Sequence, residues 1–173
     1  MAQYFYRKNN FTARKSVGYL IRRLNNLMMP QAQARFADAD LTLTHWIALL
    51  SLRDSVARTC SDIARHLGHD TGATTRLIDQ LESRGLVLRR RDDNDRRIVN
   101  LTLTAAGRIA SAELTPRVIQ YWNDMLANFT AAEATTLIEL LARLLTRMEA
   151  EPTSTAERPQ PQPPPKHRAR KRK

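Results

Sequence analysis

The chain has 173 residues, enough for one domain with a substantial apolar core and an appended tail. It carries 28 lysines and arginines against 17 aspartates and glutamates, a net charge of +11, which favours a polyanionic partner such as nucleic acid or an anionic membrane surface. A single cysteine, Cys60, excludes an internal disulfide, and no stretch approaches the roughly 20 apolar residues of a membrane-spanning helix. The N-terminus lacks the apolar run of a signal peptide, so we expect a cytoplasmic protein.

The first third of the chain predicts two helices. Apolar residues at helical spacing indicate a long amphipathic helix from about Thr12 to Phe36. Pro30 lies within it and should kink the helix or end its first segment. Thr44 is a suitable N-cap for a second helix that runs to about Arg53.

Two short segments with clear start and stop signals follow. Thr59 can cap a third helix that ends at Gly68, and Asp70 can cap a fourth that ends at Gly85. Glycine suits the left-handed backbone that closes many helices. Two capped helices joined by a glycine-containing connection predict a helix-turn-helix.

After the fourth helix the pattern becomes that of strands. The stretches 86–88 and 98–103 are rich in β-branched or alternating apolar residues, which predicts a two-stranded hairpin. The loop between them, residues 89–97, holds five arginines. A hairpin with a cationic tip directly after a helix-turn-helix is a wing.

The rest of the chain predicts two helices and a tail. Thr104 can cap a fifth helix to about Ala127, with Pro116 inside it. Thr130 and Glu133 have the spacing of a capping box for a sixth helix, whose apolar residues form one stripe. Residues 151–173 are proline-rich and hold seven lysines and arginines against two glutamates, which predicts a disordered basic tail. Residues 1–150 retain a net charge of +6 without it.

Two segments carry a resemblance to a known family. Residues 70–87, DTGATTRLIDQLESRGLV, look like a recognition helix that runs into a first wing strand. Residues 95–104, DRRIVNLTLT, match a wing signature of Asp-x-Arg, a spacer, then apolar-x-Leu-Thr, and Gly107 follows where the family usually has glycine. With this order of helices, the chain from about Val17 to Glu149 resembles the MarR family of bacterial transcription regulators.

The resemblance implies a homodimer in which the first, fifth and sixth helices intertwine and two winged domains read a pseudo-palindromic operator. The expected fold is mainly α with a small β-hairpin wing, a winged helix-turn-helix domain plus a helical dimerisation body. The resemblance assigns residues 1–150 to one domain, with dimerisation helices at about 12–37 and 105–149 and a DNA-binding lobe at about 44–104. The expected function is that of a ligand-responsive repressor.

The N-terminal half of a recognition helix can enter the major groove, where short polar side chains and arginine reach base edges or phosphates. The polar candidates of the fourth helix are Thr71, Thr74, Thr75, Arg76 and Gln80. The resemblance favours Thr75 and Arg76 for direct contact. A solvated face of an ordinary helix is the alternative.

Arginines on a thin hairpin suit the narrow, strongly negative minor groove, and Arg97 is the first candidate. Asp95 could orient Arg97 by a charge-assisted pair, or the two could pair only to hold the loop. The other wing arginines are expected at phosphates or in solvent. They are Arg89, Arg90, Arg91 and Arg96.

The family resemblance also implies a small aromatic acid as effector, bound in a crevice lined by the first, second and fifth helices. The residues that offer aromatic surface and positive charge there are Tyr19, Arg22, Arg23, His45, Trp46 and Leu49. Such a mixture would suit a planar carboxylate. Ordinary core packing of Trp46, with arginines at the surface, is the alternative.

Other chemistry has little support in the sequence. His66 and His69 lie across a predicted helix end with no further ligand at metal spacing, and Cys60 is expected to be an inert small residue. Paired carboxylates, a nucleophile triad, a P-loop and a dinucleotide fingerprint are all missing, so we expect neither an enzyme nor a cofactor. The alternative function is an architectural DNA-binding protein with little sequence preference.

Overall fold

The computed structural model describes residues 5–151. The chain divides into two compact units, Met1–Ala127 and Asn128–Lys173. The described residues are mainly helical with one two-stranded hairpin, which confirms the predicted fold class. The predicted basic tail lies outside the described residues from position 152 onward.

Helix α1 spans Val17–Ala34 and starts later than predicted. Its N-cap is Ser16, whose Oγ accepts a hydrogen bond from the backbone N–H of Tyr19 at 3.3 Å. Thr12, the predicted start, instead precedes a short 3₁₀ turn at Ala13–Lys15 and makes no side-chain cap.

Helix α2 spans Leu43–Arg53 and is capped by Thr42 rather than by the predicted Thr44. The Thr42 side chain accepts the N–H of His45 at 3.2 Å, and the His45 ring in turn accepts the N–H of Thr42. This reciprocal pair decides between the two threonines, because only Thr42 has a side chain three residues on that can return the hydrogen bond.

The helix-turn-helix forms as predicted. Helix α3 spans Cys60–Leu67 behind its N-cap Thr59, and α4 spans Thr71–Ser83 behind its N-cap Asp70. Gly68 ends α3 with a φ of 64°, a left-handed conformation that costs glycine little.

The wing consists of β1, Val87–Arg91, and β2, Val99–Leu103, paired antiparallel over their full length. The strand β1 therefore extends three residues into the predicted loop. Asn100 also forms a bridge with Thr59, which ties the hairpin to the start of α3. The wing thus belongs to the same small fold as the helix-turn-helix.

The helix-turn-helix, the wing and α2 share one apolar core, and together they form the predicted DNA-binding lobe. Its largest fully buried aliphatic side chains come from α2, α3, α4 and β1: Leu49, Ile63, Ile78, Leu81 and Val87. Burying each of them contributes about 1.5–3 kcal/mol relative to an exposed position, so this cluster fixes how the helices and the wing pack.

Helix α5 spans Ala105–Met125 behind the predicted N-cap Thr104. Both internal prolines lie within continuous helices: Pro116 in α5, and Pro30 in α1, which continues to Ala34. The expectation that Pro30 could end the first helical segment is therefore wrong.

The second unit contains helix α6, Ala131–Ala150, and the predicted capping box of Thr130 and Glu133 is present. Glu133 accepts hydrogen bonds from the Thr130 backbone N–H and hydroxyl, both at 2.9 Å. Large apolar side chains along α6 are exposed: Leu137, Ile138, Leu140, Leu141, Leu145 and Met148.

Candidate nucleic-acid interface

One face of α4 carries exposed polar side chains. Those predicted from the sequence and found exposed are Thr71, Thr75, Arg76 and Gln80. Thr74 is fully buried, and its hydroxyl donates to the carbonyl of Asp70 at 2.9 Å. Because position 74 lies one helical turn before the core residue Ile78, it shares the inward face of α4. The assignment of Thr74 to DNA contact is therefore wrong.

Gln80 is held in place by a histidine of α2. Nδ1 of His45 accepts the Thr42 N–H, which leaves Nε2 as the ring nitrogen that can donate. That nitrogen lies 2.9 Å from Oε1 of Gln80 and donates to it. His45, predicted as an effector ligand, therefore caps α2 and orients Gln80.

The tip of the wing is organised by Asp92. Its carboxylate accepts the backbone N–H of Asn94 at 2.9 Å and of Asp95 at 3.1 Å, together with the side-chain amide of Asn100 at 2.9 Å. The two backbone N–H groups, with the Asn100 amide, lower the pKa of Asp92 below its usual value. The turn is preformed by these hydrogen bonds.

The Asp95 side chain also accepts a hydrogen bond from the backbone of the wing loop. Its Oδ1 accepts the N–H of Arg97 at 2.9 Å, whereas the Arg97 guanidinium forms no ion pair within residues 5–151. The predicted charge pair between the two side chains is therefore replaced by a side-chain-to-backbone hydrogen bond. Four exposed wing arginines are without an acidic partner among the described residues: Arg90, Arg91, Arg96 and Arg97.

Arg89 differs from the other wing arginines. It donates to Asp79 Oδ1 at 2.6 Å and to the carboxylate of Glu82, both on α4, and its side chain is 29% exposed. Burial disfavours its charge, but the two carboxylates outweigh burial and raise the pKa of Arg89. Its predicted position at a phosphate or in solvent is corrected, since the guanidinium binds these two carboxylates.

The residues predicted for an effector crevice differ in burial. Trp46 and Leu49 are core residues, and the indole Nε1 of Trp46 donates to the carbonyl of Ser111 on α5 at 3.2 Å. The α1 members of the predicted set are exposed: Tyr19, Arg22 and Arg23. Core packing, the alternative weighed for Trp46, is what the structure shows.

An open groove of about 610 Å³ lies elsewhere in the first unit. Its lining combines an apolar floor with two arginines and two carboxylates. The lining residues are Ala39, Asp40, Leu41, Arg84, Leu86, Ala110, Glu113, Leu114 and Arg117. None of the six predicted effector residues is among them.

The two arginines of the groove hold the connection between α1 and α2. Arg117 donates to the carbonyl of Arg35 at 3.0 Å and to the carboxylate of Asp38. Arg84 donates to the carbonyl of Asp40 at 2.8 Å. The connection is thus bound both to α5 and to the end of α4.

Sequence reasoning missed three acidic residues that shape the interface. Asp92 begins the segment DDND, and aspartate commonly accepts backbone N–H groups two and three residues on, so this turn could have been recognised. Asp79 and Glu82 are one helical turn apart, which places two carboxylates on one side of α4. Their partner Arg89 could not be singled out among five arginines without the strand register.

The described residues hold neither a cluster of metal ligands nor a membrane-spanning helix. Among the side chains of residues 5–151, no three from His, Cys, Asp and Glu are grouped as a metal ion would require. In the same part of the chain, no helix combines the length and apolar character needed to cross a membrane.

Comparison with known proteins places this geometry in context. The sequence profile of the MarR family matches residues 41–99. YdgJ of Bacillus subtilis (strain 168), described as an uncharacterized HTH-type transcriptional regulator, is 37% identical over 98 residues, which cover 57% of this chain and 58% of YdgJ. The aligned stretch therefore spans less than two thirds of that relative.

Solved structures are matched over more of their length. A mutant of MarR from E. coli, crystallised with operator DNA, is 30% identical with a TM-score of 0.61, and the match covers 75% of this chain and 93% of MarR. BpsR of Bordetella bronchiseptica is 27% identical with a TM-score of 0.63, covering 82% of this chain and 99% of BpsR. The BpsR structure concerns the regulation of DNA binding by 6-hydroxynicotinic acid. With the winged helix-turn-helix, the profile match and these structural likenesses in agreement, the chain belongs to the MarR family.

Proposed function

We propose that this protein is a transcriptional repressor that binds a pseudo-palindromic operator as a homodimer, in the cytoplasm. One observation carries the proposal: a single lobe presents the exposed polar face of α4 beside a preformed wing, whose four exposed arginines have no acidic partner within residues 5–151. The relative YdgJ, an HTH-type regulator, and the MarR complex with operator DNA support it.

The two parts of this surface suit different grooves. Thr75 and Arg76 on α4 fit major-groove readout, where a bidentate arginine–guanine contact discriminates by about 1–3 kcal/mol. Arg97 on the thin wing fits the minor groove, where narrow A·T-rich segments attract arginine through their negative potential. The exposed arginines beside it supply phosphate contacts.

A homodimer is proposed because of the exposed apolar surface. In the first unit, α1 exposes Leu20, Ile21, Leu24 and Leu27, and α5 exposes Ile119, Trp122 and Met125. Several large apolar side chains exposed on each of two helices of a polar chain indicate an interface. Light scattering at low micromolar concentration should give twice the chain mass of 19.8 kDa, and a folded monomer would contradict the dimer.

The deciding experiment compares Arg76→Ala and Arg97→Ala on the DNA beside the protein's own gene and on random duplex, across a salt series. Arg76→Ala should relax preference at one base pair of each half-site. Arg97→Ala should weaken binding to many sequences and lower the slope of log K against log salt by about 0.9 for each phosphate that is no longer neutralised. Circular dichroism confirms that both variants are folded.

The alternative is an architectural protein with little sequence preference, and the basic tail is the feature that favours it. Sequence-specific regulators bind their sites about 10³–10⁷-fold more tightly than random DNA at one salt concentration. A ratio near one for the parent protein would favour the architectural function.

We propose that a small aromatic acid releases the operator complex. The support is the regulation of BpsR by 6-hydroxynicotinic acid and, in this chain, a groove in which the guanidinium of Arg84 lies among apolar residues. Its lining also holds Arg117 and the carboxylates of Asp40 and Glu113, so Arg84 and the leucines are the part that would face the acid. Such a lining suits a planar anion. Calorimetry with phenolic and pyridine carboxylates should detect binding that Arg84→Gln weakens, and a panel that neither binds nor loosens the DNA complex would refute this class.

A further inference from the structure

Arg89 occupies a special position in the wing. Side chains alternate between the two faces of a strand, so Val87 and Arg89 share one face of β1 and Arg90 lies on the other. Val87 is fully buried in the core of the lobe. Arg89 therefore points from the wing back toward the helices, whereas Arg90 is exposed.

The partners of Arg89 lie on α4. Asp79 and Glu82 are one turn apart, and the guanidinium donates to both, with Nη2 2.6 Å from Asp79 Oδ1. The base of the wing is bound to α4 as well, because the N–H of Leu86 donates to the carbonyl of Leu81 at 2.9 Å. Arg89 adds a second attachment, farther along β1, between the wing and the helix.

We infer that Arg89 is a positioning residue that fixes the wing relative to α4 through Asp79 and Glu82, and thereby determines preference for the operator over other DNA. This inference rests on the proposed DNA-binding function. Partly exposed ion pairs of this kind contribute little to stability, so we place the main effect of Arg89 on geometry.

The position of the wing relative to α4 matters for binding to an operator but little for binding to random DNA. Reading an operator requires α4 and the wing to fit neighbouring grooves at once, and functional groups must be held within roughly 0.5 Å of their productive places. Binding to random DNA is mainly an attraction between cations and phosphates, which tolerates a displaced wing.

The test removes the two carboxylates and leaves every arginine in place, in the variant Asp79→Asn/Glu82→Gln. The variant has two fewer negative charges per chain, so electrostatics alone predicts tighter binding to all DNA. A wing that is no longer fixed to α4 predicts weaker binding to the operator, without weaker binding to random DNA. We expect at least a tenfold fall in the ratio of operator affinity to random-DNA affinity, with random-DNA affinity equal or higher.

The matched control is Asp93→Asn, which removes an exposed wing carboxylate that makes no hydrogen bond or ion pair within residues 5–151. Its affinity ratio should stay within twofold of the parent. The conservative variant Asp79→Glu/Glu82→Asp retains both charges and should recover most of the preference. Urea unfolding of each variant verifies that loss of preference is not loss of fold.

The outcomes distinguish failure of the inference about Arg89 from failure of the proposed DNA-binding function. If the parent protein shows no operator preference, the proposed function fails. If the parent is selective and the carboxylate-free variant is equally or more selective, Arg89 is not a positioning residue. A preference lost in the carboxylate-free variant and recovered in the conservative one supports the inference.

Discussion

Gly107 lies where α5 packs tightly against the wing, and replacing it with alanine should destabilise the lobe. A Cβ at this position would lie 2.1 Å from the carbonyl oxygen of Leu86 and 2.9 Å from a methyl carbon of Leu103. The Leu86 oxygen also accepts the N–H of Thr104 at 3.1 Å, just before α5 begins. The methyl group would therefore strike backbone that other hydrogen bonds hold in place.

The magnitude follows from three contributions. Carbon–oxygen contacts need about 3.3 Å, so α5 would move by about 1 Å, and overpacking of this kind costs up to about 3 kcal/mol. The displacement also weakens the hydrogen bond from Thr104 to Leu86, at about 1 kcal/mol. Alanine returns about 1 kcal/mol through its better helix propensity. The net expectation for Gly107→Ala is a loss of about 3 kcal/mol.

Urea unfolding followed by far-UV circular dichroism, at one protein concentration, measures this loss. With a slope of about 2 kcal/mol per molar, the midpoint should fall by about 1.5 M. Gly18→Ala in α1 is the control, because nothing lies within 4 Å of the added methyl group and helix propensity should raise stability by up to about 1 kcal/mol. A midpoint for Gly107→Ala at or above that of the parent would refute the reasoning.

Three further predictions concern α4, the acidic caps and the tail. Thr74→Val should cost about 1 kcal/mol of stability, because the hydrogen bond from its hydroxyl to the Asp70 carbonyl is lost. Since Thr74 is buried, operator affinity in a filter-binding assay should stay within twofold of the parent. Weakened DNA binding at unchanged stability would contradict this expectation. Backbone N–H groups lower the pKa of Asp70 and of Asp92 below the ordinary aspartate value in the folded state, so their contribution to stability is full above the unfolded-state pKa and is lost as pH falls below about 4. Thermal melting of Asp70→Ala between pH 5 and 2 should therefore depend less on pH than melting of the parent, and an equal dependence would exclude this cap as a cause. Removing residues 151–173 should lower affinity for operator and random DNA alike, because seven lysines and arginines are lost, and a changed ratio would show that the tail takes part in recognition.

Local signals predicted the helix-turn-helix well because its determinants are local. Thr59 and Asp70 each accept a backbone N–H three residues on, so sequence alone locates the start of α3 and α4. The start of α2 was misplaced because two threonines flank Leu43, and the choice depended on the ring of His45. A cap that needs a particular side-chain conformation is not visible in a propensity pattern.

Within α4, sequence identified the right segment and misassigned one side chain. Thr74 and Thr75 are adjacent and chemically identical, yet one is fully buried and the other exposed. The apolar positions Leu77, Ile78 and Leu81 place residue 74 on the inner face, so a stricter use of helical periodicity would have excluded it. The polar character of threonine misled the assignment, because its hydroxyl can bond to its own helix.

The role of Arg89 could not be read in the same way, since it depends on contacts across two elements. Its strand register sets which way it points, and its partners lie ten and seven residues earlier on α4. The burial of Trp46 was missed for a related reason: its indole offers an aromatic surface in the sequence, but packing against α5 buries it. The role of Arg89 and the burial of Trp46 both depend on tertiary contacts, which local sequence patterns do not encode.

The wing shows how a segment with nearly as many acids as cations can still present positive charge to DNA. Between residues 90 and 97, four arginines accompany three aspartates, so the net charge of the tip is only +1. Two of those aspartates accept backbone N–H groups inside the turn, while the arginines are exposed and without acidic partners among the described residues. A carboxylate satisfied by backbone N–H groups has part of its charge offset by their dipoles, so it opposes phosphate less than its formal charge suggests. The direction in which each charge faces, rather than the sum, therefore determines what the wing can bind.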